Sequence, residues 1–460
     1  MLEEIQSLVK ALEAGSYNAA PGQLNQGASL QTEDLSPVMQ NVTFEDKHIK
    51  LQKALSVKDA KSQLVQFNRQ LDYGIFGGTA QYEGGIGEED TSNYVRAVIP
   101  MSYYSTVRRV TVAANMIGAF DGVKAEDRAA KDAAMKLAGD IEFDTFRGQE
   151  EFSNAGVFDG NPLAIARIPN MVGLNAQVRQ SDALSNTQDL MFAEYGSDQT
   201  VVLAANGALT QSIIEDAAVR SAMNHGSADK LYLDPISLAQ YNKIAHAKER
   251  IFLAGSAQEA TGAELRKQWV SSGMVEMEAS RFLSGKTRPA RSRQGSPAAP
   301  GAPTATAAAS GGLDAGTYYY YATAVNERGE SVRSSVDSDT ATDGQRINLS
   351  IPAVSGAKYF NVYRGQLSDG SDAKFIGRVK AAGAGATTFV DLGNRTPGSV
   401  TGYLVQSNTM GLHQLSAYSR LKLAISDLSL PEAHFRFLAL GVYQPRKNVL
   451  IDNITGQLAS

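Results

Sequence analysis

The chain has 460 residues, a length that suggests about three domains, and its composition, 43% hydrophobic and 20% charged, is that of an ordinary globular protein. Lysine and arginine number 43 against 48 aspartates and glutamates, a net charge of -5, which argues against a protein that binds nucleic acid through overall charge. Cysteine is absent, which excludes disulfides, thiolate nucleophiles and cysteine-ligated zinc.

The first segment predicts a short amphipathic helix followed by an arm. Apolar residues recur at helical spacing over 2–14, at Leu2, Ile5, Leu8, Val9 and Leu12. Glycine at position 15 ends this pattern, and residues 15–45 are polar and rich in Gly, Asn, Gln and Ser. Such a segment gains structure only against another surface, so we predict residues 1–45 to be an N-terminal helix and arm. The acidic start at Glu3 and Glu4 does not fit a secretory signal.

A glycine-rich, acidic stretch follows between Leu71 and Pro100 and predicts a long hairpin with a flexible contact loop. The candidate contact residues are Gly77, Gly78, Gly84, Gly85, Gly87, Glu88, Glu89 and Asp90. A phosphate-binding loop is the alternative, but no Gly here is followed by Lys and Ser or Thr. The acidic run would also repel phosphate, which favours the contact loop.

Residues 124–143 predict a long helix. Ala130, Ala133 or Ala134, Leu137 and Ile141 lie on one stripe, and opposite charges four residues apart mark a solvated side. The carboxylates Asp140, Glu142 and Asp144 fall at the end of this pattern. We expect them to be solvated rather than paired for acid–base chemistry.

The second half divides by composition. Residues 175–285 alternate helical and strand patterns, with Lys230–Leu233 as a short strand and 209–222 and 237–246 as helices. Residues 286–312 are rich in Pro, Ala, Gly, Ser and Thr and predict a linker. Short strand patterns separated by turns fill the rest of 297–397 and predict a small β-sandwich. Residues 403–460 return to mixed character, with closing strands at 435–443 and 448–454.

The order of polar arm, glycine-rich hairpin, long charged helix, compact α/β domain and late strands resembles the HK97-like major capsid proteins of tailed bacteriophages. This resemblance implies an α+β fold with residues 1–45 as N-arm and 46–285 as capsid core. Within the core, 74–100 would be the E-loop, 124–143 the spine helix of the P-domain, and about 175–285 the A-domain. Residues 403–460 would supply the closing P-domain strands.

A second resemblance covers the predicted sandwich. The runs from Gly316 to Ser331 (GTYYYYATAVNERGES) and from Ala357 to Gly365 (AKYFNVYRG) are similar to fibronectin type III or immunoglobulin-like modules of phage structural proteins. Alternation places Tyr318, Tyr320, Ala322 and Ala324 on one side of a strand. The resemblance therefore implies an all-β insertion over 297–397, joined by the linker 286–312.

Candidate chemistry is sparse. The five histidines, at positions 48, 225, 246, 413 and 434, never fall at a ligand-pair spacing. Asp337, Asp339 and Asp343 suggest calcium at first sight, but turn-forming aspartates are the favoured interpretation. A basic run from Lys286 to Arg293 fits a solvated hinge, with contact to packaged DNA or a neighbour's acidic loop as the alternative. We assign no catalytic, cofactor-binding or metal-binding residue, and no cofactor.

The resemblance implies a non-enzymatic subunit that self-assembles into hexamers and pentamers of an icosahedral head in the virion, built in the bacterial host cytoplasm. That head would enclose double-stranded DNA without sequence-specific binding, and scaffold, portal and decoration proteins are the partners it leaves room for. No apolar stretch is long enough for a membrane span. Two alternatives stay open: a tail-tube or baseplate protein with an Ig-like module, and a carbohydrate-acting enzyme with an accessory fibronectin-like module.

In some members of the resembled family, neighbouring subunits are cross-linked by an isopeptide bond between an E-loop lysine and an asparagine of another subunit. Residues 74–100 of this chain contain no lysine, and Arg96 is their one basic residue. A guanidinium does not deprotonate to attack an amide. The sequence therefore predicts that this covalent cross-link is absent.

Overall fold

The computed structural model describes residues 44–70, 73–74, 79–87, 89–116, 123–148, 171–183, 201–246, 266–284, 296–326, 329–393, 395–425 and 427–455. The α-helices are α1 Leu51–Ala54, α2 Val112–Met116, α3 Ala125–Arg147, α4 Leu174–Ala183, α5 Gln211–Met223 and α6 Pro235–His246. The strands before the sandwich are β1 Ser56–Asp59, β2 Leu64–Gln70, β3 Tyr94–Pro100, β4 Ser102–Thr111, β5 Val202–Gly207, β6 Lys230–Leu233, β7 Lys267–Val270 and β8 Gly273–Ala279. The later strands are β9 Thr304–Leu313, β10 Gly316–Asn326, β11 Gly329–Glu330, β12 Asp337–Ala341, β13 Gln345–Ile351, β14 Tyr359–Gly365, β15 Lys374–Lys380, β16 Thr387–Asp391, β17 Val400–Val405, β18 Met410–Lys422, β19 Ser429–Val442 and β20 Val449–Ile454.

A four-stranded sheet with the order β1-β18-β19-β4 carries the long helix α3 on one face. Strands β4, β19 and β18 are antiparallel, whereas β1 pairs with β18 in parallel. The predicted helix is confirmed and continues to Arg147. Ala133, Leu137 and Ile141 of its apolar stripe are buried, as the 3.6-residue period requires.

A six-stranded mixed sheet, with the order β5-β20-β17-β6-β8-β7, forms a second body with helices α5 and α6. Its centre meets the C-terminal end of α3, where the ring of Phe146 lies 5.3 Å from the ring centroids of both Tyr232 and Tyr403. Buried residues of both sheets belong to one continuous apolar core. The long helix therefore ties the two sheets together.

The structure divides the strands of residues 403–460 between the two sheets, while their role in closing the P-domain stays a prediction. Strands β18 and β19 extend the four-stranded sheet, whereas β17 and β20 lie in the middle of the six-stranded sheet. Four of the six residues of 449–454 are apolar and all but Asp452 are buried, the pattern of a central strand flanked on both sides.

Residues 304–391 form a two-sheet sandwich with its own apolar core. One sheet has the order β11-β10-β14-β15, with β12 also pairing with β10, and the other has the order β16-β13-β9. Tyr318, Tyr320, Ala322 and Ala324, which alternation places on one side of a strand, are all buried. The mixed α+β class with an extra all-β sandwich is therefore confirmed, while the immunoglobulin-like identity and the domain boundaries stay predictions.

The predicted linker 286–312 needs correction at its end. Residues from Thr304 onward form β9, which pairs with β13 from Thr304↔Ser350 to Leu313↔Gln345. Small alanine side chains at alternate positions of β9 pack against the sandwich core, so a composition typical of linkers here serves close packing between sheets. In the described part of the chain, no helix is long and apolar enough to cross a membrane.

Candidate assembly interface

The predicted contact loop lies at the end of a hairpin formed by β2 and β3, which pair antiparallel from Leu64↔Pro100 to Gln70↔Tyr94. Strand β2, Leu64–Gln70, lies before the predicted range of 74–100, so the hairpin begins earlier in the chain than predicted. Tyr82 and Ile86 are 95% and 94% exposed in this loop. Both side chains are therefore accessible to a neighbouring surface.

The described contact-loop candidates occupy the exposed part of the hairpin. Gly84 has a φ of +83°, a conformation that favours glycine, and the N–H of Gly85 donates to the carbonyl of Tyr82 at 2.8 Å. Gly87, Glu89 and Asp90 are exposed beside this turn. The candidates Gly77, Gly78 and Glu88 lie outside the described residues, as do Leu2, Ile5, Leu8 and Leu12 of the predicted N-terminal helix and the basic run 286–293.

The root of the hairpin is held against the end of the four-stranded sheet. Phe67 of β2 meets the ring of Tyr443 edge-on at 5.1 Å. The neighbouring Arg69 is buried and its Nη2 donates to the carbonyl of Val442 at 3.0 Å. These contacts fix the direction in which the hairpin leaves the body. Sequence reasoning missed them, because the partners lie more than 370 residues apart.

The C-terminal end of α3 corrects the expectation of solvated carboxylates. Glu142 and Asp144 are buried. Asp144 accepts a hydrogen bond from the Tyr104 hydroxyl at 2.7 Å, and that hydroxyl accepts one from the N–H of Met171 at 3.1 Å. Burial, with the adjacent Asp144 carboxylate, raises the pKa of Tyr104 well above its usual range. The pair joins α3 to β4 as a structural hydrogen bond.

Glu142 holds the short helix α1 against α3. Its Oε1 accepts the N–H groups of Lys50 and Leu51 at 3.0 and 2.8 Å, and its Oε2 accepts that of Gln52 at 3.0 Å. These are the amide groups that a helix leaves unpaired at its start. Burial raises the pKa of Glu142, and the three amide groups oppose that change. The carboxylate thus anchors the chain just after the predicted arm.

The N-terminal half of α3 is tied to β18 and β19 by a charged cluster. Arg420 forms ion pairs with Glu126 of α3 and, from Nη2, with Glu432 of β19 at 2.8 Å. His434 is fully buried beside this cluster, and its Nδ1 lies 2.9 Å from the hydroxyl of Tyr418. Burial lowers the pKa of His434, so the ring is neutral at pH 7. Helix α3 is therefore attached to the sheet at both ends.

The sandwich contains a buried polar network rather than an open site. Asp391 Oδ2 accepts from the Tyr320 hydroxyl at 2.9 Å and from Arg364 Nη1 at 2.7 Å, and Arg364 Nη2 also donates to the carbonyl of Arg395 at 2.7 Å. These groups satisfy one another within the core. They account for polar residues in a buried position without any catalytic role.

Of the aspartates considered for calcium, Asp343 lies in a turn as predicted, whereas Asp337 and Asp339 serve the sandwich in a way that corrects the turn prediction. Asp337 and Asp339 lie in strand β12, and their Oδ2 atoms accept the N–H groups of Ala305 and Ala307 of β9 at 2.8 and 2.6 Å. The two carboxylates close the edge between the sheets, where exposed backbone groups would otherwise invite another strand. Among the residues that the structure describes, no group of three possible ligands could hold a metal ion.

On the outer face of the sandwich, aromatic rings stack on one another rather than forming an open platform. Tyr321 and Tyr363 lie parallel with centroids 4.7 Å apart. Phe375 packs edge-on against Tyr363 with ring centroids 5.9 Å apart, and the guanidinium of Arg333 covers Tyr321 at 5.6 Å. Because these ring faces are occupied, the ladder stabilises the sheet.

No known family profile and no curated protein matches the sequence. Among solved structures, the capsid of a native GTA particle is similar at 10% identity with a TM-score of 0.48, covering 94% of this chain and 97% of that one. The capsid of cyanophage P-SCSP1u is similar at 9% identity and a TM-score of 0.46, over 94% and 97% of the two chains. The SrpI encapsulin complex from Synechococcus elongatus PCC 7942 gives 8% identity and 0.43, over 95% and 99%.

Proposed function

We propose that this chain is an HK97-like major capsid protein that self-assembles into the hexamers and pentamers of an icosahedral phage head. The main support for this proposal is the order of the described elements along the chain. An exposed hairpin, a long helix on a four-stranded sheet, a separate mixed sheet and late strands that return to both sheets follow one another. This is the order that the sequence resemblance implies for E-loop, spine helix, A-domain and P-domain.

The contacts suit a rigid subunit that extends an exposed hairpin toward its neighbours. Helix α3 is fixed to the sheet by Arg420 at one end and by Asp144 at the other, while the loop with Tyr82 and Ile86 projects into solvent. Repeated contacts add up around a closed shell even where each exposed ion pair contributes only about 0.2–1 kcal/mol. Non-covalent packing by hairpin, arm and acidic tip would then hold the shell.

The sandwich serves as an insertion on the outer surface of the head. Its own core and its closed edge, at Asp337 and Asp339, support a module that stands apart from subunit contacts. Scaffold, portal and decoration proteins would be further partners, and the protein would reside in the virion after assembly in the host cytoplasm. The role is structural rather than enzymatic, with DNA enclosed and not read.

Negative-stain electron microscopy of the purified full-length protein tests the proposal. Closed shells or hexameric and pentameric capsomers are the expected result. Tubes or stacked rings would instead favour a tail-tube or baseplate protein, and discrete monomers with glycoside hydrolase activity would favour the carbohydrate-acting alternative. A density map of the shells then tests the outward position of 297–397, which a DNA-facing sandwich would contradict.

A further inference from the structure

The face of the four-stranded sheet opposite α3 carries an apolar patch. Along β4, residues at even positions face α3, whereas Tyr103 and Val107 face away and are 50% and 58% exposed. Leu421 of β18 is 55% exposed on the same side. We call this surface the outer patch, and it consists of Tyr103, Val107, Leu421, Ala433, Phe435 and Phe437.

The register of the strands makes the outer patch continuous. Tyr103 pairs with Phe437, and Val107 and Leu421 both pair with Ala433. The ring of Phe437 lies 5.0 Å from that of Tyr103 and 5.1 Å from that of Phe435. A contiguous aromatic and aliphatic surface of this kind marks an interaction site rather than scattered exposure.

We propose that the outer patch binds the predicted amphipathic helix, residues 2–14, of a neighbouring copy. The proposal rests on the proposed self-assembly and names one of its interfaces. Leu2 and Leu12 are separated by about 15 Å along a helix, and Tyr103 and Val107 by about 14 Å along a strand. An apolar stripe and an apolar patch of matching length can thus cover each other.

The place where the described chain begins favours a neighbouring copy. Phe44 packs against Gly139 of α3 and meets the ring of Phe282 at 5.6 Å, so the arm departs on the α3 side of the sheet. The outer patch lies on the other side. Residues 15–43 span up to about 100 Å when extended, against about 35 Å for α3. This length is enough for the helix to reach an adjacent copy, whereas binding to its own outer patch would require the chain to pass around the edge of its own sheet.

The contact loop of a second copy is a less favourable ligand for the outer patch than the predicted helix. It exposes Tyr82 and Ile86, but glycines separate them and Glu83 and Glu89 lie close by in the sequence. The predicted helix instead supplies five apolar residues on one face. Burial of apolar area contributes about 25 cal/mol per Å², so the occupant with the larger continuous apolar surface is favoured.

Disulfide trapping tests this interface cleanly, because the chain contains no cysteine. Particles are assembled from a mixture of Leu8→Cys chains and differently tagged Val107→Cys chains, checked by microscopy, oxidised and run on a non-reducing gel. A mixed dimer of the two tags is expected. Lys136→Cys, exposed on α3, replaces Val107→Cys as the control and should give no such dimer.

Intact particles without the Leu8–Val107 dimer would overturn the interface while leaving the proposed function standing. A Tyr82→Cys and Val107→Cys mixture that forms dimers in its place would assign the outer patch to the contact loop. An internal disulfide in the Leu8→Cys, Val107→Cys double variant, without mixed dimers, would assign it to the chain's own helix. Both results contradict the proposal. Failure to form any particle refutes the proposed function and this interface with it.

Discussion

Replacing Glu142 by alanine should loosen the short helix α1 and the base of the arm. The buried carboxylate accepts the N–H groups of Lys50, Leu51 and Gln52. A buried donor left without a partner costs about 1–3 kcal/mol. Three such donors set the loss at about 3 kcal/mol or more, reduced where water enters the space left by the side chain. Glu142→Gln keeps one acceptor oxygen and should lose less.

Hydrogen exchange of the amides at 50–52 measures this loss directly. A local loss of about 3 kcal/mol raises exchange by about two orders of magnitude, because each 1.4 kcal/mol corresponds to a factor of ten. Lys136→Ala, at an exposed position of the same helix, is the matched control and should change stability by less than about 0.5 kcal/mol. Unchanged exchange at 50–52 in Glu142→Ala would refute the anchoring role.

The same residue gives a pH dependence with a definite sign. Burial raises the pKa of Glu142 above the ordinary value of 4.5, so the folded protein holds this proton more tightly than the unfolded chain. The free energy of unfolding therefore falls as the pH rises from 4.5 through the raised pKa. Glu142→Ala should lack this part of the pH profile, and an identical profile in both proteins would contradict the argument.

Three further predictions concern the shell and its subunit. On a denaturing gel, particles boiled in detergent should give one band near the mass of the monomer, because residues 74–100 contain no lysine for an isopeptide cross-link. A ladder of covalent oligomers would disprove this. Deleting residues 1–45 should leave a folded subunit, measured by circular dichroism, but impair particle formation; a normal particle yield would count against the arm. Burial lowers the pKa of His434, so its contribution to stability is present above about pH 6.5 and is lost as the pH falls below that value. In thermal melts, the melting temperature of His434→Gln should therefore fall less steeply on acidification than that of the wild type.

Local patterns in the sequence were enough to predict several elements. The stripe through Leu137 and Ile141 predicted α3, and alternation at Tyr318 and Tyr320 predicted the inner side of β10. The short strand Lys230–Leu233 was predicted with the bounds observed. In each case the signal comes from residues close in the sequence, because periodic burial marks one face of a helix or strand.

The features that sequence reasoning missed depend on distant partners. Burial of Glu142 follows from amide groups about 90 residues earlier in the chain, and burial of Arg69 from a carbonyl in β19. Nothing near either residue signals such a partner. The same holds for β17 and β20, whose place in the six-stranded sheet is set by strands from another part of the chain. Tertiary pairing, rather than local propensity, decided these positions.

The connection between the sandwich and the body has a consequence for engineering. Leu283, just before the segment that leads to the sandwich, and Val400, just after it, line the same small cavity. Because the chain leaves the body and returns to it at nearly the same place, the domain between these two points can be replaced without disturbing the sheets of the body. The segment between these two residues is therefore a natural position for a foreign domain, which the assembled protein would carry in many regularly spaced copies.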